Sequence, residues 1–137
     1  MKVPLKLEYA CRVMIQLKSS FASGEVRRVE ELAELEGISP NYLVQILNDL
    51  RMAGLVESRR GKHGGYLLAK DPEDVTLGDI VAAAEGALLQ LNGTPEGESG
   101  PATVRLWRRI IEDVEHQLRG RRLADMGASE PAAMWQI

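Results

Sequence analysis

A mainly α-helical fold carrying one β-hairpin is what the sequence predicts, on three observations. Apolar residues recur at steps of three and four in several separate stretches, as amphipathic helices require. One short stretch reads apolar, then basic and glycine-rich, then apolar again, which is a hairpin pattern. A last helical run follows a loop almost free of apolar residues. The 137 residues, 45% hydrophobic and 27% charged, suffice for one ordinary domain with an appended assembly element. With two Trp, three Tyr and one Phe, the core must be built from Leu, Ile, Val, Ala and Met.

The elements follow in order. Ala10, Val13, Met14, Leu17 and Phe21 share one helical face, so a first helix should bury that stripe and end near Ser19 to Gly24. Val29, Leu32 and Ala33 suggest a short second helix with Gly37 just past its end. In Ile38-Ser39-Pro40-Asn41, Ser39 is a natural N-cap and Pro40 a natural first helical residue, whose missing N–H would be orphaned there anyway. The third helix should then run to about Ala53, with Leu43, Ile46, Leu47 and Leu50 as its stripe and Gly54 closing it. Two helices joined by a short glycine-containing turn form a helix-turn-helix pattern. Leu55 to Arg59 reads as a strand, Arg60 to Gly65 as a glycine-rich turn and Tyr66 to Ala69 as the returning strand. After the Asp71-Pro72 turn, Thr76 with Asp79 resembles a capping box for a fourth helix, roughly Leu77 to Glu85, ended by Gly86.

The expected class is therefore mainly α: a winged helix-turn-helix with a two-stranded β wing and a long C-terminal dimerisation helix. Residues 1–86 form the winged domain and 87–101 a flexible loop, whose NGTPEGESGP run at 92–101 connects rather than packs. Residues 102–124 form the dimerisation helix region and 125–137 a tail. Within the helix region, Val104, Trp107, Ile111, Val114 and Leu118 alternate by three and four, the spacing of a two-helix seam, and Leu106 and Ile110 widen it. So apolar a helix after a complete domain needs something to bury against, and the simplest partner is its own copy across a two-fold axis. Packing back on the same subunit is the alternative.

The net charge of -3 averages two unlike halves. Residues 1–70 carry eleven Lys/Arg against eight Asp/Glu, whereas 71–137 carry six against twelve. Arg51 to Lys70 alone holds five cations and one acid, so a locally basic face is compatible with an acidic chain. Cys11 is the single cysteine, which excludes an intrachain disulfide and fits a reducing compartment. With His63 and His116 it lacks the spacing of a structural zinc site, so no metal is expected. No stretch has the length and apolarity of a membrane span or leader, and the chain reads as cytoplasmic.

The outward face of the third helix carries Asn41, Val44, Gln45 and Asn48 at i, i+3, i+4 and i+7, with Arg51 continuing the row and no carboxylate among them. Asn and Gln can bond an adenine edge in two places and Val can touch a thymine methyl, which suits double-stranded DNA. A merely solvated helix face is the competing reading. In SRRGKHGGYLLAK (58–70), glycines at 61, 64 and 65 permit a tight hairpin, and Arg59, Arg60, Lys62 and His63 offer donors with no acid nearby to neutralise them. That finger reads as a phosphate and minor-groove probe. A nucleotide-phosphate loop needs Ser or Thr after Gly-Lys and a helix behind it, whereas Lys62 is followed by His63 and a strand. No nucleophile stands at a recognisable spacing from either histidine, which leaves an enzyme as the weakest class.

These stretches resemble a known family. LEYACRVMIQL, ELAELEGISPNYLVQILNDLRMAGLVESRRGKHGGYLLAK, DPEDVTLGDIVAAAEG and LWRRIIEDVEHQL occur in the order and spacing of the Rrf-two family of bacterial winged-helix transcription regulators. The resemblance implies a homodimer paired through the long helix, recognition helices in successive major grooves of a pseudo-palindromic operator, and wings along the minor groove. It places Ser39, Asn41, Tyr42 and Gln45 in the recognition element, Arg59 at the wing base and Tyr9 near the DNA backbone. Cluster-binding members place three cysteines before the long helix, where this chain has none. The likeness is thus to the cluster-free branch, and a repressor without an iron-sulfur cluster or other cofactor is expected.

Two further readings concern the signal. Arg12 could lower the pKa of Cys11 and make it a redox sensor, as against a small buried hydrophobe. Trp107 with Met134, Trp135 and Ile137 could line a pocket for a small-molecule effector or dock a partner protein, as against simple packing. An alternative function is a winged-helix module that regulates a partner enzyme or regulator by contact.

Overall fold

The computed structural model describes residues 2–127. Its elements are α1 (Leu5–Ser19), α2 (Val29–Glu36), α3 (Pro40–Met52), β1 (Val56–Arg59), β2 (Gly65–Leu68), α4 (Leu77–Glu85) and α5 (Gly100–Arg119), with 3-10 turns at Pro72–Asp74 and Leu123–Asp125. This is the mainly α winged helix-turn-helix architecture expected from the sequence.

The local signals operate as the residues dictate. Gly37 ends α2 at φ 67°, a conformation that penalises any side chain. Ser39 Oγ accepts a hydrogen bond from the Tyr42 N–H at 3.3 Å and Pro40 opens α3. Thr76 and Asp79 form a reciprocal capping box on α4, each side chain accepting from the other's backbone N–H. The β1–β2 ladder is antiparallel, with Val56 opposite Leu68 and Arg59 opposite Gly65.

One core joins the winged half. Leu7, Ala10, Val13, Met14 and Leu17 of α1 meet Leu32 and Ala33 of α2, Leu43, Ile46, Leu47 and Leu50 of α3, Val56 and Leu68 of the wing, and Ile80 and Val81 of α4. Phe21, expected in this stripe, lies beyond the end of α1 in a turn and is exposed. The helix stops before the face can come round again.

Two boundaries differ from expectation. Helix α5 starts at Gly100, with Pro101 in its first turn, so the loop is shorter than 87–101. Residues 121–127 belong with the winged half and not with a dimerisation region and a tail that meet at 124/125. Leu123 is fully buried in the core, and its N–H donates to the Val75 carbonyl at 2.7 Å. The Leu77 N–H donates to the Arg121 carbonyl at 2.8 Å, and Lys18 Nζ donates to the carbonyls of Ala124 and Met126. Arg122 pairs with Glu73 at 2.5 Å. The end of α5 is thereby fastened to α1 and to the strand-like lead into α4.

No helix among the described residues is long and apolar enough to cross a membrane.

Candidate nucleic-acid interface

The four apolar residues of α3 face the core, which turns Asn41, Val44, Gln45, Asn48 and Arg51 outward together. Val44, a β-branched apolar residue, is 44% exposed in the middle of that row. Asn48 Oδ1 accepts from Arg51 Nη2 at 2.7 Å, which orders two members of the row. The nearest acid of the helix, Asp49, is turned aside and ion-paired to Lys6 of α1 at 2.5 Å. That hydrogen bond holds the Lys6 ammonium above its ordinary pKa despite an opposing desolvation cost. The exposed face of α3 therefore presents neutral donors and acceptors, one methyl-bearing side chain and one cation.

The wing turn is built on close backbone approach. Gly61 has φ 104°, and a Cβ on Gly64 would lie 2.3 Å from the Arg59 carbonyl oxygen. A Cβ on Gly65 would lie 2.5 Å from the carbonyl oxygen of Arg27. Arg27 exchanges both backbone hydrogen bonds with Tyr66 at 2.8 Å, adding one bridging residue to the β2 edge. Its side chain is 12% exposed, ion-paired to Glu31 at 2.8 Å and donating to the Gln16 carbonyl at 2.8 Å. Arg27 thus ties the wing to α1 and α2, a role the sequence reading missed because one bridging residue leaves no alternating run.

At the tip, Arg60, Lys62 and His63 are exposed and have no ion-pair partner among the described residues. Arg59 corrects the expectation of an acid-free finger: its guanidinium meets the Glu57 carboxylate at 3.0 Å. The cause is strand geometry, which puts residues i and i+2 on one face.

Tyr9 and Tyr42 meet edge to face at 5.9 Å, joining α1 to the start of α3, and the Arg12 guanidinium lies 5.3 Å over the Tyr9 ring. The same arrangement bears on the two readings of Cys11, a redox-active thiol or a small buried hydrophobe. Arg12 turns to Tyr9 and to Glu8, an ion pair at 2.8 Å without hydrogen-bond geometry, and does not acidify the thiol. Burial, reinforced by the Glu8 charge, pushes the Cys11 thiol up to about 11. Cys11 packs against the core.

The residues assigned to a dimer seam divide. Ile111, Val114 and Leu118 line an open cleft of about 290 Å³ between α4 and α5, with Leu88 and Leu89 as its other wall. Leu118 packs against the core of its own subunit, close to Gly78. Trp107 and Ile110 point to solvent, and Val104 is half-buried. The suggested contribution of Met134, Trp135 and Ile137 lies outside the described residues.

Comparison with known proteins gives this geometry its context. Residues 4–129 match the model of a family described as Rrf2, iron-dependent transcriptional regulator. The chain is 36% identical to the HTH-type transcriptional regulator Rv1287 of Mycobacterium tuberculosis, over 100% of this chain and 88% of that protein. It is 34% identical to the HTH-type transcriptional regulator CymR of Bacillus subtilis, over 93% of this chain and 91% of that one. The solved structure of the same B. subtilis protein, described as its global cysteine regulator, superposes with a TM-score of 0.80 at 33% identity, covering 92% of this chain and 95% of that chain. The IscR structure of T. potens gives 0.76 at 33% identity, covering 98% and 96%. With a winged helix-turn-helix, an exposed polar row on its third helix and a basic wing tip, the chain belongs to the Rrf2 family and is a DNA-binding transcriptional regulator, not an enzyme.

Proposed function

We propose that the chain is a cytoplasmic, homodimeric repressor that reads a pseudo-palindromic operator without an iron-sulfur cluster. The observation that carries this is the joint exposure of Asn41, Val44, Gln45, Asn48 and Arg51 on α3 beside a wing tip whose Arg60, Lys62 and His63 are unpaired among the described residues. Polar amides and Val44 read base edges in the major groove, and the cations neutralise phosphates. Ser39 and Tyr42 fix the start of the reader, and Tyr9, edge to face with Tyr42, reaches the DNA backbone from α1. Arg59 exchanges Glu57 for DNA at the wing base. Two such readers, paired through α5, occupy neighbouring turns of one groove face and thereby occlude a promoter.

The residues present do not fit the group that the family description implies. The loop before α5 carries no cysteine, Cys11 is the single thiol, and no group of three or more His, Cys, Asp or Glu among the described residues is placed to hold a metal. The signal is therefore of another kind, a small-molecule effector or a partner protein.

Footprinting tests the reading. Reduced, metal-free protein on the DNA upstream of its own gene should protect two half-sites about one or two helical turns apart. Protection that appears only after reconstitution with iron and sulfide contradicts the cluster-free assignment.

A further inference from the structure

The extended segment that ties the wing to the helical body carries two adjacent arginines with opposite surroundings. Arg27 bonds Tyr66 of β2 through both of its backbone groups, each at 2.8 Å. Successive side chains of an extended chain point to opposite sides. The Arg27 guanidinium turns inward, donating to the Gln16 carbonyl at 2.8 Å and to Ser19 Oγ at 3.1 Å and pairing with Glu31 at 2.8 Å. Arg28, still extended at φ -85° and ψ 147°, is exposed. It has no ion-pair partner among the described residues.

The bridge fixes where Arg28 stands. In an antiparallel pair one chain advances as the other recedes, so with Arg27 opposite Tyr66 the register sets Arg28 opposite Gly65. The other neighbour of Gly65 in the ladder is Arg59. Arg28 and Arg59 therefore flank a residue without a side chain, two strand spacings or roughly 10 Å apart. Gly65 is required there, since its Cβ would lie 2.5 Å from the Arg27 carbonyl oxygen. The basic surface of the wing thus continues from Arg60, Lys62 and His63 at the tip to Arg28 at the root, where α2 begins.

The acids around the root are already engaged. Glu31 is held by Arg27, and Glu57 meets Arg59 at 3.0 Å. Arg59 must give up a carboxylate before it meets an outside anion, whereas Arg28 has none to give up. Resting on the DNA-reading assignment of α3 and the wing, we propose that Arg28 is a further DNA-contacting residue, gripping a backbone phosphate at the wing root, and that the Arg27 bridge holds it there. Such a contact adds affinity and fixes orientation without reading bases.

Anisotropy titrations of the reduced protein against the DNA upstream of its gene and against scrambled DNA, at several salt concentrations, test this. Arg28→Gln should weaken binding to both DNAs, leave the ratio of the two affinities unchanged and reduce the salt slope by about 0.9. Arg28→Lys, which keeps the charge, should keep the parent's slope. Arg109→Gln removes the same charge from the exposed face of α5 and should keep it too. A slope unchanged in Arg28→Gln, or lowered equally in Arg109→Gln, overturns the proposal. Affinity lost with the slope intact and Tm lowered makes Arg28 a support of the fold alone, which also overturns it. A parent protein that binds neither DNA contradicts the DNA reading beneath the proposal; a parent that binds and discriminates, matched in every respect by Arg28→Gln, contradicts the phosphate contact only.

Discussion

Helices α3 and α5 share a pattern and differ in what it meets. The 13 residues of α3 bury Leu43, Ile46, Leu47 and Leu50 within their own subunit, and the opposite polar face is left for a ligand. The 20 residues of α5 repeat an apolar stripe as regular as that one, and the subunit buries none of it fully: Ile111, Val114 and Leu118 are half-covered, whereas Leu106, Trp107 and Ile110 face solvent. An amphipathic pattern therefore states that a helix has a partner, and the three-dimensional fold decides whether the partner is internal. In α3 the informative surface is the polar one; in α5 it is the apolar one.

That contrast can be broken most directly by truncation. Leu47→Ala should cost about 2 to 5 kcal/mol in urea denaturation, because it removes the branched end of the side chain, everything beyond Cβ, from a fully enclosed site. Trp107→Ala, although a larger deletion, should leave the denaturation of dilute protein within about 0.5 kcal/mol, since Trp107 is half exposed in the subunit. A large loss there would place Trp107 in the monomer's own core.

On the polar side, Gln45→Ala should lose about 1 to 3 kcal/mol of operator affinity while changing scrambled DNA little. Arg59→Ala should weaken binding to both DNAs alike and reduce the salt slope by about one. Reversal of those two outcomes would exchange the roles of helix and wing. Ser39→Ala removes the cap that starts α3 and should cost about 1 kcal/mol of stability, read as a lowered Tm.

The smallest effect is expected at Cys11. With its thiol held near 11 by burial, Cys11→Ser should leave the response of DNA binding to peroxide unchanged. The folded chain holds that proton more tightly than an unfolded chain, whose thiol has the ordinary value of 9.0. The contribution of this group to stability is thus complete below about pH 9 and is lost as pH rises through about 11. Denaturation midpoints that fall less in Cys11→Ser than in the parent over that window would bear this out.

Much of the winged half was legible because its signals are local. Ser39-Pro40, Gly37, Gly54 and the Thr76/Asp79 box each determine the backbone within one turn, and the four-residue apolar stripe of α3 repeats often enough to fix its face. What escaped depends on contacts distant in sequence. Leu123 joins the core through a segment too short to show a period, held by Lys18 more than a hundred residues away. Arg27 completes the wing through a single bridge to Tyr66. Side-chain pairing was no more readable: Arg12 lies one residue from Cys11, yet its charge goes to Glu8 and Tyr9, because neighbours on a helix diverge by about 100° while residues three or four apart converge. The Arg59–Glu57 pair follows the corresponding rule for strands.

The central claim is that this subunit, without iron, reads DNA sequence through α3. Fluorescence anisotropy of reduced, metal-free protein against the DNA upstream of its gene and against scrambled DNA, at several salt concentrations, tests it directly. Tight binding to the first, weaker by a factor of about a thousand or more to the second, and falling steeply with salt for both, is the predicted result. Equal, weak binding to both DNAs would contradict it.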